Sequence, residues 1–177
     1  NQAEVDAHPA QSGKGIGRFK YVDTDGKPGI TPDDRVFVGS PVPDFTGGIN
    51  INLSYKKWSF STYMYTSLGN EVFNQAKWYT GMFPSFEGAG KSVLALESWT
   101  PQTLDNSGGP IWESASNLST NGAANTWYLE DGSYLRIQNI SINYDFDRSL
   151  VEKIGFKDLR IGLSANNIAT FTKYSGQ

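Results

Sequence analysis

Residues 45–67 constrain the fold more than any other stretch. From Ile49 to Tyr55 every odd residue is apolar (Ile49, Ile51, Leu53, Tyr55) and every even one polar (Asn50, Asn52, Ser54). That period of two belongs to a strand with two different faces. After Lys56-Lys57 the alternation resumes, with Trp58, Phe60, Thr62 and Met64 in one phase and Ser59, Ser61, Tyr63 and Tyr65 in the other. The segment reads as a hairpin with a very short turn. Its arms, about 10 residues each, exceed the usual strand of about 5–6 and match the roughly 9–11 that cross a bilayer at a tilt. Tyr55 and Trp58 end the apolar face beside the turn, where a transmembrane barrel carries its interfacial aromatics. An amphipathic hairpin in a soluble sandwich shows the same alternation, so this segment alone leaves both architectures open.

Composition narrows the choice. Only 38% of residues are hydrophobic and the mean hydropathy is −0.44, with no apolar run long enough for a transmembrane helix. A barrel escapes that exclusion, because half of each strand is polar. Aromatics at 14% and 19 glycines suit strands and loops better than helices. A net charge of −3 without a basic stripe argues against a nucleic-acid partner. The lack of cysteine excludes disulfides, zinc–thiolate sites and thiol catalysis. With neither an initiator methionine nor a signal peptide at Asn1, a piece of a longer chain is expected.

Residues 1–17 read as polar loop and 18–22 as a short strand. The following Asp23-Thr24-Asp25-Gly26-Lys27-Pro28-Gly29-Ile30-Thr31-Pro32-Asp33-Asp34 has the layout of a calcium loop, with Asp23, Asp25 and Asp34 at its first, third and twelfth positions. Hard oxygen ligands at such spacing converge on one ion as the loop curls round it. Lys27 and Pro28 stand where that pattern wants a further ligand and a glycine, so a calcium site and an Asx-rich turn both remain open. Pro41 and Pro43 set an extended approach to the hairpin.

From 68 to 126 no period is sustained, apart from one possible short helix over 92–99. Structureless connections beyond about 15 residues are uncommon in compact soluble domains, whereas barrels in outer membranes combine long loops on one side with tight turns on the other. A second hairpin follows. After the Asp131-Gly132 turn, the strand 133–146 alternates Ile140, Ile142, Tyr144, Phe146 against Ser141, Asn143, Asp145. Leu135 and Ile137 lie in the opposite phase, so either a bulge falls near Gln138 and Asn139 or those two apolar residues face the interior. Asp147 is placed to cap a helical turn over 148–154 closed by Gly155, and 157–165 alternates again as Leu159, Ile161, Leu163, Ala165.

No catalytic constellation emerges. His8 has no nucleophile nearby in sequence, and the adjacent Glu130 and Asp131 would point to opposite faces of a strand. Trp78, Tyr79 and Trp112 are the candidate ligand-binding residues, because a broad ring face with a polar edge suits a sugar ring or a partner surface; packing of the loop's own small core is the other reading. Asn50, Asn52, Asn143 and Arg160 are expected on the interior face.

Three motifs, Pro41-Val42-Pro43-Asp44-Phe45-Thr46-Gly47-Gly48, Asp131-Gly132-Ser133-Tyr134-Leu135-Arg136-Ile137-Gln138-Asn139-Ile140 and Asn166-Asn167-Ile168-Ala169-Thr170-Phe171-Thr172-Lys173-Tyr174-Ser175-Gly176, together resemble the C-terminal barrel region of SusC/RagA-type TonB-dependent transporters. The resemblance runs from about Arg18 to the end. It implies an all-β fold: part of a large transmembrane antiparallel β-barrel of about 22 strands with long extracellular loops and short periplasmic turns. It further implies the outer membrane of a Gram-negative bacterium, a SusD-like surface lipoprotein as partner, TonB acting through an N-terminal part not included here, and oligosaccharide or oligopeptide substrates.

On this layout 1–44 is an extracellular region with the Asp-rich loop and 45–67 a transmembrane hairpin whose Lys56-Lys57 turn is periplasmic. Then come a long extracellular loop over 68–132, a second transmembrane hairpin over 133–168 with a short periplasmic helical turn, and the start of the next loop at 169–177. The apolar phase would face outer-membrane lipid. No enzymatic activity is expected, and calcium is the one cofactor the sequence suggests. The alternative is a secreted carbohydrate-binding β-sandwich with a dockerin-like calcium loop.

Overall fold

The computed structural model describes residues 1–82, 88, 90–102, 108–112 and 123–176. The chain divides into two compact units, one of Asn1–Gly39 with Phe73–Leu129, the other of Ser40–Val72 with Glu130–Ser175.

The second unit is built on strands β1 (Phe45–Tyr55) and β2 (Trp58–Leu68). Short strands β3 (Glu71–Phe73) and β4 (Leu129–Asp131) pair with each other in a separate two-stranded sheet. The long strands β5 (Tyr134–Asp145) and β6 (Arg160–Thr172) complete the main sheet, whose order is β1-β2-β5-β6 with every pairing antiparallel. The long strands contain 11 to 13 residues, enough to span a bilayer's hydrocarbon region at a tilt.

The register keeps one apolar face across all four strands. Ile49 is opposite Met64, Leu53 opposite Phe60 and Tyr55 opposite Trp58. Phe60 is in turn opposite Ile142, and Ile142 opposite Leu163. On this face Ile49 and Leu53 are each 60% exposed and Leu163 76%, so nothing among the described residues covers it. The expected sandwich alternative needs a second sheet over that face, and the described residues form only the β3–β4 pair besides.

The opposite face is polar and bonded to itself. Asn52 Nδ2 donates to Asn50 Oδ1 at 3.3 Å, Asn139 Nδ2 to Asn166 Oδ1 at 2.8 Å and Arg136 Nε to Thr170 Oγ1 at 3.0 Å. Arg160 grips Asp145 through Nε and Nη2 at 2.5 and 3.0 Å.

The phase slip in β5 is resolved by a bulge. The register shifts between Ile137 and Asn139, which returns Leu135 and Ile137 to the apolar face opposite Thr66 and Met64. On β6 the same level holds Asn167 and Ile168, with Asn167 at φ +51°. Asparagine tolerates this left-handed conformation because its short amide bonds locally.

The β1–β2 turn is the two-residue Lys56-Lys57, with Lys56 at φ +55°. A left-handed conformation costs a residue with a Cβ about 1–2 kcal/mol. Asp147 makes no side-chain cap; its carboxylate pairs with Lys57 instead, while its carbonyl accepts from Leu150 and Val151 N–H at 3.0 and 3.1 Å to start the helical turn α1 (Arg148–Val151). Gly155 ends that region at φ +84°, a conformation glycine adopts without strain.

The other unit contains the one aromatic side chain that is fully buried among the described residues, Tyr128 at 0% exposure. Trp127, Phe73 and Phe19 surround it at ring distances of 4.9, 5.7 and 6.3 Å. The expected strand over 18–22 does not form. The side-chain amide of Gln11 takes the place of a neighbouring strand, donating to Phe19 O at 2.8 Å and accepting from Tyr21 N at 3.0 Å.

Candidate functional site

The aromatic residues singled out from sequence fall into one neighbourhood. Asn74 caps a short helix (Gln75–Lys77) by accepting from Lys77 N at 2.8 Å, and the chain continues as a wide helical turn over Trp78–Met82. Trp78 and Tyr79 meet there edge to face, with centroids 4.6 Å apart. Lys91 ties this pair to Trp112: its Nζ donates to Tyr79 O at 3.2 Å and lies 5.4 Å from the Trp112 ring centroid.

Burial depresses the Lys91 ammonium below its ordinary pKa. Tyr79 and Trp112 remain 45% and 40% exposed. Two half-open rings beside one ammonium offer stacking faces and a local positive charge. Sequence reading missed Lys91, because nothing in the spacing of 79, 91 and 112 announces their proximity.

A separate aromatic cluster surrounds Tyr128, while the Trp78 indole nitrogen is itself buried, so packing within the loop stays a competing use of that ring. Lys77 seals one side of the Tyr128 cluster, with Nζ 3.9 Å from the Trp127 centroid and donating to Trp127 O at 2.8 Å. Burial pushes the Tyr128 hydroxyl above its ordinary pKa. A cavity of about 800 Å³ in this unit is lined by Lys14, Arg18, Phe19, Trp99 and Trp127 among others, and not by Trp78, Tyr79 or Trp112. Trp99 lies flat on Gly17, where any Cβ would come within 2.4 Å of the indole.

In the Asp-rich loop, Asp23, Asp25 and Asp34 bring carboxylate oxygens within 4.8 Å of one another. Each is also bonded inside the loop. Asp34 accepts from Thr31 N at 2.7 Å and Thr24 N at 2.8 Å, and these backbone donors hold its carboxyl below the usual range. Asp23 accepts from Gly26 N at 2.7 Å. Asp25 takes the Lys27 ammonium at 2.7 Å, and Lys27 also lies 3.8 Å from Asp33. The lysine at the fifth position thus puts a fixed cation beside the carboxylates.

The remaining titratable candidates have structural partners. His8 Nε2 is 3.0 Å from Gln11 Oε1. Glu130 accepts from both N and Oγ of Ser175 at 2.8 Å, and Asp131 accepts from Ser133 N at 2.9 Å.

Comparison with known proteins bears on the fold and the kinship of the chain. No family model matches the chain. It is 32% identical over 156 residues to TonB-dependent receptor P3 of Formosa agariphila, covering 88% of this chain and 15% of that receptor. To TonB-dependent receptor P26 of the same bacterium it is 29% identical over 178 residues, covering 98% of this chain and 17% of the receptor. The chain thus spans about a sixth of the length of the curated relatives it matches.

Among solved structures, the RagAB peptide transporter superimposes with a TM-score of 0.70 at 24% identity, covering 94% of this chain and 19% of that one. The closed-closed state of the RagAB peptide importer gives 0.68 at 24% identity over 88% of this chain and 17% of that one. The chain is a homologue of the TonB-dependent receptors and has the fold of one part of a SusC/RagA-type barrel, an open four-stranded piece of its wall.

Proposed function

We propose that the chain is part of an energy-coupled importer in the outer membrane of a Gram-negative bacterium, taking up oligosaccharides or oligopeptides. The observation that carries this reading is the unpartnered apolar face of four strands of 11 to 13 residues, edged by aromatics at the turn end. Water penalises such a face, while lipid covers it and leaves the polar face for a lumen. Both outer edges, β1 and β6, would pair with further barrel strands, since unpaired edges are not viable in lipid.

In this reading the import step involves no covalent chemistry. Substrate is held outside by groups such as Trp78, Tyr79, Lys91 and Trp112, a SusD-type lipoprotein closes over the mouth, and TonB engages an N-terminal part of the receptor. Kinship with TonB-dependent receptors and the likeness to a peptide importer support the partner and the substrate class. The Asp-rich loop is a weak calcium site in which Lys27 competes with the ion.

The test is growth of a strain lacking the receptor on defined oligosaccharides and on oligopeptides as sole nutrient. Loss of growth on one class, restored by the intact gene, is expected and names the substrate; unimpaired growth and uptake on both would overturn the importer reading.

A further inference from the structure

The turn end of the main sheet carries more than an aromatic row. Tyr55 and Trp58 face each other across β1 and β2, Trp58 packs against Tyr144 with tilted rings 4.8 Å apart, and Tyr144 meets Phe146 edge to face at 4.8 Å. Between this row and the next layer of side chains lies a crevice of about 370 Å³, lined by the apolar side chains of Leu53, Tyr55, Trp58, Phe60 and Ile142 and also by Ser54 and Ser59. It is open to whatever covers that face and is shaped by three adjacent strands.

Charge at this end is biased as well. Asp145, Asp147 and Glu152 are taken by Arg160, Lys57 and Arg148. Lys56, Lys153 and Lys157 are exposed and make no ion pair among the described residues, against one carboxylate, Asp158, in the same position. The chain as a whole is net negative at −3, so the excess of cations is local. Lys56 does not line the crevice itself, but its Nζ lies 5.3 Å from the ring centroid of Tyr55, one of the crevice's walls. Leu150, Ile154 and Phe156 on the neighbouring helical turn are exposed apolar side chains, the composition of a segment lying in a headgroup region.

We propose that this end of the sheet holds one anionic glycerophospholipid of the adjoining membrane leaflet, its phosphate beside Lys56 and its upper acyl chain in the crevice between Leu53, Tyr55, Trp58, Phe60 and Ile142. The inference rests on the membrane reading above. An apolar slot on a lipid-facing surface selects an acyl chain, and an ammonium without an ion-pair partner among the described residues, beside one wall of the slot, selects an anionic headgroup over a zwitterionic one. Tyr55 and Trp58 then act as the rim that fixes the depth of the headgroup.

The test uses the full-length receptor in detergent, titrated with phosphatidylglycerol or phosphatidylcholine of the same acyl chains and read by native mass spectrometry. One phosphatidylglycerol should be retained about fivefold more readily than phosphatidylcholine, the preference one lysine near the surface supplies. Lys56→Asn, chosen because asparagine tolerates the left-handed backbone of this position, should abolish the preference, and Lys56→Arg should keep it. Leu53→Trp, which fills the crevice from a lipid-exposed position, should lower retention of both lipids. Equal retention of the two lipids by the parent, or the same preference in Lys56→Asn, would overturn the site. Flotation with phosphatidylcholine vesicles separates the two readings: a receptor that does not float refutes the membrane assignment, whereas one that floats without headgroup preference refutes only the lipid site.

Discussion

Arginine at Ile51 tests the assignment of faces most severely. Ile51 is one residue beyond the centre of β1 and opposite Thr62, in the apolar phase with Ile49 and Leu53. With a rise of about 3.4 Å per residue and a tilt near 40°, a strand of this length spans roughly 28 Å of bilayer, which leaves Ile51 about 3 Å from the midplane. Arginine at that depth on a lipid face costs about 2–4 kcal/mol. Asn50, its neighbour, points to the polar face and bonds to Asn52, so arginine there stays among water and polar groups. Guanidinium unfolding of the full-length receptor in vesicles, followed by tryptophan fluorescence, should therefore place Ile51→Arg about 2–4 kcal/mol below Asn50→Arg. Equal stabilities, or the reverse order, would refute the assignment.

Three further outcomes follow from the other unit. Trp112→Ala and Trp78→Ala should each weaken substrate uptake severalfold at unchanged surface level, because stacking faces are lost without loss of the core around Tyr128; unchanged uptake would remove these rings from the site. Lys27→Ala frees Asp25 and should raise calcium affinity in calorimetric titration of the receptor, an effect absent if the loop binds no ion; Asp23→Ala with Asp25→Ala should abolish the binding event. Tyr128→Ala empties the centre of the aromatic cluster and should cost about 3–5 kcal/mol, seen as earlier proteolytic cleavage within Phe73–Leu129 while the strands stay protected.

What the sequence revealed depended on how local the cause was. The alternation in 45–67 is written residue by residue, because the two faces of one strand meet different surroundings, and the pairing of Ile49 with Met64 follows from it. The slip at Leu135 and Ile137 was legible for the same reason: a change of phase within one strand demands either a bulge or a changed environment, and the bulge is what forms. Its partner at Asn167-Ile168 was hidden, since no alternation crosses that point.

The unit containing Tyr128 was opaque because its order comes from residues far apart in sequence, Phe19, Phe73 and Trp127, none of which carries a period. The segment 18–22 looked like a strand because its composition fits one; Gln11, seven residues upstream of Arg18, satisfies its backbone instead. Asp147 had the right residue type and place for a helix cap, and the nearer ammonium of Lys57 won its carboxylate. Among the candidate binding residues, sequence supplied the rings and missed Lys91, whose Nζ bonds Tyr79 O and lies near the Trp112 ring.

Labelling of single cysteines along β1, in a full-length receptor cleared of other cysteines, tests the membrane barrel most directly. In membranes holding the full-length receptor, a water-soluble maleimide should label cysteine at Asn50, Asn52 and Ser54 and spare cysteine at Ile49, Ile51 and Leu53, while a lipid-soluble reagent reverses the pattern. Equal labelling along the strand, or protection of 50, 52 and 54 instead, would contradict a β1 that crosses the bilayer with its odd-numbered residues in lipid.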